Sequence, residues 1–361
     1  MMAQLKITFA TVVLLTLTSC QMAYVIESGF EQAKILRARV PIEEVQRDPQ
    51  TSEDLQQKLK VVKSVLKFAK EELAFHTNNN YETYVDLKRP YVTWTVVASH
   101  RWRIKAHTWH FPIVGEVPYL GFFDPDDAKA KAQELEKIYD VNVGGVRAYS
   151  SLGWFEDPVL STMLTGKPFD LAELLLHELT HANIYVAGDA DFNERIATFL
   201  GQKSAFLWGK NNLKEEELFQ AEKEVRDQKK FSQFLTQELR TLEEEYEKYQ
   251  KENGLPSTDS QVAVELSADP DTMPESSSAH RWRQSRLVEL QNIYLSQLKP
   301  KLETDVFDSF AKSKMNNARL LGYKIYLSRL DDFDSFYQTC SLNLKRMIEK
   351  LRDNPKATSC N

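Results

Sequence analysis

The run Asp170-Leu171-Ala172-Glu173-Leu174-Leu175-Leu176-His177-Glu178-Leu179-Thr180-His181 is an apolar helical stretch carrying two histidines four residues apart, with a glutamate beside the first. On an α-helix, positions i and i+4 lie on one face, so both imidazoles can point at a single metal ion. Glu178 sits about 100° further round the helix. From there it can handle the proton of an attacking water without ligating the metal itself. Two neutral imidazoles and a carboxylate, with a fourth position left open, form a donor set that suits zinc, one ion per chain. The chain holds only seven histidines and two of them fall here. We therefore read His177 and His181 as zinc ligands and Glu178 as the catalytic base. The competing reading is a pair of structural histidines on a buried helix.

The third ligand has to come from downstream. There the chain runs Tyr185-Val186-Ala187-Gly188-Asp189-Ala190-Asp191-Phe192-Asn193-Glu194-Arg195-Ile196-Ala197-Thr198-Phe199. Gly188 and the two aspartates break the first helix, and Asp191 can cap the next. Glu194 is then expected in the first turn of a second helix folded back on the first. Asn193-Glu194-x-x-Ala197 is similar to the third-ligand helix of the gluzincins, the zincin metallopeptidases whose third ligand is a glutamate. Twelve residues separate His181 from Glu194, fewer than in the commonest members, so the helix-turn-helix has to be tight. Asp189 or Asp191 is the competing ligand. With Glu194 in that place, Asp189, Asp191 and Asn193 are expected to hydrogen-bond and orient the imidazoles, or to act as caps.

Outward from this region, the 361 residues include only 12 Gly and 13 Pro, with 27 % charged, 11 % aromatic and 42 % apolar residues. Few turn-formers mean long elements and a helix-rich chain. Collagen-like and low-complexity Pro/Gly chains are excluded, as is wholesale disorder. A net charge of −6 gives no reason to expect nucleic acid as a partner. The expected class is α+β and predominantly α-helical, with a small β-sheet preceding the metal-site helix. Helices are expected over 28–80, broken near Val40-Pro41 and restarted at the cap signal Thr51-Ser52-Glu53-Asp54. Between 81 and 155 the β-branched and aromatic runs 91–98, 109–123 and 141–149 read as strands and tight loops, with a helix at 126–139 among them. The metal-site helices follow over 170–210. Then comes a helical part over 214–352, made of a long charged helix at 214–251 and further helices at 281–298, 302–330 and 333–351. The segment 253–278, rich in Ser, Pro, Asp and Thr, reads as a loop.

Residues 1–19 combine Lys6, an apolar run from 7 to 17, and Thr18-Ser19 ahead of Cys20. This has the shape of a secretory signal and is too short to span a bilayer. Leu17-Thr18-Ser19-Cys20 resembles the bacterial lipobox, so Cys20 is expected to be acylated and to anchor the mature chain in a lipid bilayer. Gln21 at the next position points to the outer membrane, with the protein facing the periplasm. Export leaves Cys340 and Cys360 in an oxidising compartment. They read as a disulfide stapling the C-terminal tail, two unpaired thiols being the alternative.

Several stretches carry a wider resemblance: 177–199, Ala148-Tyr149-Ser150-Ser151-Leu152-Gly153-Trp154-Phe155-Glu156-Asp157-Pro158, 111–124, and Asn316-Asn317-Ala318-Arg319-Leu320. Together they resemble a family of bacterial zinc aminopeptidases. The resemblance covers most of the mature chain and implies a single zincin-like peptidase domain over 20–361 that takes peptides as substrates. In that setting His177, His181 and Glu194 would hold zinc, and Glu178 would take a proton from water and deliver it to the leaving amine. Tyr149 and Tyr185 are candidates to stabilise the oxyanion, Tyr185 lying one further i+4 step along the ligand face. Glu116 and Asp157 are candidates for the substrate's free α-amine, and Asn316 and Asn317 for contacts with substrate. The strand ending near Tyr149 is a candidate edge for peptide pairing. The alternatives are a zinc endopeptidase and a non-catalytic helical lipoprotein scaffold. Glu178 separates the last of these from the others, because a scaffold has no use for it.

Overall fold

The computed structural model describes residues 19–111, 115–151, 155–255 and 278–360. The signal segment, the side chain of Cys20 and the greater part of the 253–278 loop lie outside the described residues. Among the described residues the chain is mostly helical with three small sheets.

It opens with α1 (Ser19–Arg37), a two-residue strand β1 (Val40–Pro41), the short α2 (Ile42–Arg47) and α3 (Glu53–Glu72). Ser52 caps α3 by accepting from the Leu55 backbone N–H at 3.3 Å, which satisfies one of the helix's orphan donors. Leu59, Val62, Val65 and Ala69 fall at helical spacing and bury one face completely. The strands β2 (Thr83–Val85), β3 (Thr93–Ser99), β4 (Trp109–Phe111), β5 (Gly115–Val117) and β6 (Tyr119–Phe122) follow. Next come α4 (Pro125–Leu135), β7 (Asp140–Val146) and β8 (Val159–Leu160).

The sheet that matters for the site is β6–β3–β7, antiparallel throughout, with Thr95 opposite Gly121 on one side and Gly144 on the other. Side chains alternate across a strand. Trp94, Val96 and Ala98 pack on α4 through Ala128, Ala132 and Leu135. Thr93, Thr95 and Val97 face the other way. Val97 joins the helical half, while Thr93 and Thr95, with Gly121, floor a cavity. The row Gly121–Thr95–Gly144 carries one small side chain across three strands, which leaves that floor shallow.

After β8, α5 (Pro168–Asn183) and α6 (Ala190–Asn212) form a tight hairpin. Gly201 of α6 sits against α5, where a Cβ would lie 3.0 Å from the Glu173 carbonyl oxygen and 3.1 Å from the His177 nitrogen. The remaining helices are α7 (Glu215–Glu252), α8 (Ser278–Ile293) with a π-turn after it, α9 (Ser309–Lys312), α10 (Asn317–Leu327), α11 (Asp331–Thr339) and α12 (Leu344–Asp353). Two of the long helices expected here are broken. Within 302–330, Asn316 takes up extended backbone and its side chain accepts from the Arg319 N–H at 2.9 Å, starting α10 afresh. Within 333–351, Ser341 and Leu342 adopt positive φ, and Asn343 caps α12. Cys340 and Cys360 form a disulfide that holds the tail against this corner.

One core surrounds α3, α5, α6 and the C-terminal helices, and a second fills the space among α7, α8 and α10. The sheet is keyed to the second through Asp140, at the start of β7. Its carboxylate receives the buried Arg283 guanidinium and the Asn317 backbone N–H at 2.8 Å. Asn316 also donates to the Val141 carbonyl at 2.9 Å. The far end of β7 is thereby fixed under the N-terminus of α10, and its near end, Val146, opens on the cavity.

Candidate metal centre

The apolar run on α5 buries Leu171, Ala172, Leu175, Leu176 and Leu179. That leaves Asp170, Glu173, Leu174, His177, Glu178 and His181 on the opposite face, and all six line one cavity of about 940 Å³. Their spacing of three and four residues is that of one helix face, so α5 presents about three turns to this space. Two devices fix the elements around it. Asn183, the last residue of α5, clamps the chain at His76, accepting from its N–H at 2.8 Å and donating to its carbonyl at 3.0 Å. Asn193 does the same at Val186, accepting and donating at 2.8 Å each. The second clamp closes the loop between α5 and α6, in which Gly188 has φ +78°.

The loop puts Glu194 opposite the two histidines. His177 Nε2 and His181 Nε2 are 3.1 Å apart, and Glu194 Oε2 lies 3.3 and 3.4 Å from them. All three ligand atoms fall within 4.8 Å of one another, so the cluster could hold a metal ion. Both imidazoles turn the same nitrogen to one point, and the Glu194 carboxylate faces it. A cation satisfies all three lone pairs at once, so the donor set fits a divalent metal. Two nitrogens and one oxygen suit zinc among others. Burial opposes ionisation of Glu194, but the hydrogen bonds from His177 and His181 outweigh it and hold its carboxyl well below the ordinary range.

Glu178 is buried beside this cluster, and burial raises its carboxyl above the ordinary value despite the neighbouring histidines. Three tyrosines ring the site. Tyr119 on β6 donates to Glu194 Oε1 at 3.4 Å, Tyr326 on α10 has its ring 6.4 Å from that of His177, and Tyr185 lines the cavity from the loop. Burial raises Tyr119 and Tyr185, with the Glu194 charge adding to it. For Tyr326 the Glu194 charge is the larger cause.

The other expected residues divide between the cavity wall and places apart from it. Tyr149 lines the cavity, but its hydroxyl donates to Gln32 Oε1 of α1 and so points toward that helix. Glu116 lines the cavity from β5, where its exposed carboxylate is 3.1 Å from His110 Nδ1. Asp157 does not line it: its Oδ2 accepts from Ser151 N–H at 2.8 Å and Ser151 Oγ at 2.9 Å, organising the turn before β8. Asn317 is fully buried in the helical half. It donates to the His100 and Arg101 carbonyls at 2.9 Å and accepts from the Tyr246 hydroxyl at 3.0 Å, which saturates it far from a substrate role. Asn316 is the α10 cap already described.

The cap of α6 is Asp189, which accepts from the Phe192 N–H at 3.1 Å. Asp191 is exposed inside the first turn, and Glu194 lies two positions further into the helix than expected because the helix starts earlier. None of Asp189, Asp191 and Asn193 orients an imidazole through a described hydrogen bond, and His181 Nδ1 is buried without a partner among the described residues.

Tyr119, Tyr326 and Glu173 were not singled out from the sequence. The two tyrosines are brought in by the sheet and by α10, with nothing local to mark them. Glu173 does carry a local mark, since it stands four residues before His177. Residues 23–359 match a family described as putative aminopeptidase. No curated protein and no solved structure matches the chain.

Proposed function

The chain belongs to this putative aminopeptidase family, and from that premise we propose that it is a zinc-dependent peptidase of zincin type that removes N-terminal residues from peptides. The observation that carries the reading is the convergence of His177, His181 and Glu194 at one end of a cavity, with Glu178 buried beside them.

A zinc ion held by these three residues would supply a Lewis acid for the peptide carbonyl and lower the pKa of water. The rest falls to the protein. Glu178, held near the histidines but not among the ligand atoms, takes the proton of the attacking water and passes it to the leaving amine. Its raised carboxyl makes it a stronger base toward that water than an ordinary carboxylate would be. Tyr185 and Tyr326, both raised and so neutral near pH 7, face the place where the carbonyl oxygen gains charge and donate to it there. The shallow floor at Thr93, Thr95 and Gly121 admits an extended backbone, and the near end of β7 offers it ladder partners.

We further read Cys20 as acylated and the protein as held on the outer membrane facing the periplasm. Support comes from the lipobox-like 17–20 segment and from Val25, Ile26 and Phe30, which leave α1 apolar on its outer side. Among the described residues no helix is long and apolar enough to cross a membrane.

The test is paired zinc analysis and peptide hydrolysis. The purified protein is expected to hold one zinc per chain, and Glu178→Gln to keep that zinc while losing roughly 10²- to 10⁴-fold in rate. Cleavage of a free peptide but not its N-acetylated form is the aminopeptidase result, and equal cleavage of both is the endopeptidase result. An unmutated protein that binds no zinc ends the enzyme reading and leaves a scaffold.

A further inference from the structure

The cavity runs on from the metal centre along α5, and its acidic residues are not equivalent. Besides Glu178 and Glu194, it is lined by Glu116, Asp170 and Glu173, and Arg147 is the only Lys or Arg among its lining residues. Glu116 is engaged with His110, and Asp170 accepts from the Lys167 N–H at 3.0 Å at the head of α5. Glu173 has neither a hydrogen bond nor a cation partner among the described residues. Lys167, at the head of α5, lies 3.5 Å from Glu224. Burial, with Asp170 and Glu224 nearby, pushes the Glu173 carboxyl up to about 7. The site is built at a cost that an incoming cation removes.

The geometry points to Glu173 as the anchor for a primary ammonium, the free α-amine of the substrate whose scissile carbonyl sits at the metal centre. This rests on the peptidase reading and adds the basis of its N-terminal specificity. Glu173 precedes His177 by one helical turn, about 6 Å along α5. In an amino-acid residue the α-nitrogen lies about 2.5 Å from its own carbonyl carbon, and a charge-assisted N–H···O bond adds about 2.8 Å. One turn is thus the right offset for a carboxylate that holds the amine while the ligands face the carbonyl. An acetylated N-terminus offers no charge, so it would cover the Glu173 carboxylate without pairing it. A lysine side chain carries the same chemistry by another route, and the experiment separates the two.

Leucinamide, Nα-acetyl-leucinamide and Nα-acetyl-lysinamide are titrated calorimetrically into the zinc-loaded full-length protein. The unmutated protein is expected to bind leucinamide about 10- to 100-fold more tightly than its acetylated form, the range of one charge-assisted hydrogen bond. Glu173→Gln should abolish that preference and Glu173→Asp retain part of it, with one zinc per chain in all three proteins. No preference in the unmutated protein, or a full preference in Glu173→Gln, overturns the assignment. So does Nα-acetyl-lysinamide binding as tightly as leucinamide, which would make the subsite one for a basic side chain. Hydrolysis of leucine p-nitroanilide is followed in parallel. A protein that shows the binding preference but cleaves nothing keeps the ammonium subsite and loses the peptidase reading.

Discussion

A carboxylate that nothing neutralises is expensive, and Glu173 shows how the expense is distributed over pH. Its folded value of about 7 lies above its ordinary 4.5, so the folded state prefers the protonated form. The stability this lends is complete below about pH 4.5 and is lost as pH rises through about 7. Over the full range the loss amounts to about 3 kcal/mol at most. In chelator-containing buffer, where no metal charge lowers the Glu173 value, the unmutated protein should therefore lose stability between pH 5 and pH 8 by more than Glu173→Gln does. Denaturant melts at the two pH values measure the difference, and parallel curves for the two proteins would count against the burial argument. The same substitution that impairs amine binding is thus expected to make the protein sturdier at pH 8, a trade common where side chains are kept for use and not for packing. Glu173 was readable in the sequence as a position on the ligand face. Its isolation was not, because that depends on burial and on the approach of Glu224 from α7, which no spacing rule reports.

Among the elements, the α5–α6 hairpin sets the distance between the histidines and Glu194, and Gly201 sets the distance between the helices. A methyl group there meets backbone atoms, the Glu173 carbonyl and the nitrogen and Cα of His177 at 3.0 to 3.2 Å, and backbone cannot rotate aside. Gly201→Ala is expected to destabilise by about 1–3 kcal/mol through overpacking, although alanine is the better helix former by about 1 kcal/mol. It should also weaken metal binding, as His177 is pushed from Glu194. Thermal melts and chelator competition would read the two effects, and a variant more stable than the parent would show that the helices have room to spare. The hairpin itself was legible, since a periodic apolar run, a glycine break and a second run are local signals. Its cap was misplaced by two residues because Asp189 and Asp191 are chemically the same, and only the backbone conformation chooses between them. The broken helices at 302–330 and 333–351 failed in the same way. Asn316 and Asn343 are weak signals until the surrounding packing makes a new helix start at each.

At the scale of the whole molecule, the C-terminal tail is held by one covalent link. Cys340 is fully buried, and the bond to Cys360 spans a separation of 20 residues. Closing a loop of that size restricts the unfolded chain by about 3 kcal/mol. Replacing both cysteines by alanine should lower the unfolding free energy by about that amount and leave metal binding unchanged, since the bond lies in the α11–α12 corner and lines no part of the cavity. Chemical denaturation of the two proteins is the measurement, and coincident curves would mean that packing alone holds the tail. The helical majority and the presence of small sheets were legible from the scarcity of glycine and proline and from the β-branched runs. The assembly of the site was less so. Tyr119 and Tyr326 come from a strand and a helix more than two hundred residues apart, and the sheet's attachment to α10, through Asp140 and the Asn316 and Asn317 side chains, brings both to Glu194. One detail of that sheet reaches beyond catalysis. The Tyr24 hydroxyl of α1 donates to the Gly121 carbonyl at 2.9 Å and accepts from the Gly121 N–H at 3.1 Å, standing in at the outer margin of β6 for a strand that is not there. A bare margin of this kind is a template on which a second chain can polymerise. By filling both bonds at Gly121, one phenolic oxygen keeps this stretch of the margin from offering itself to a second chain.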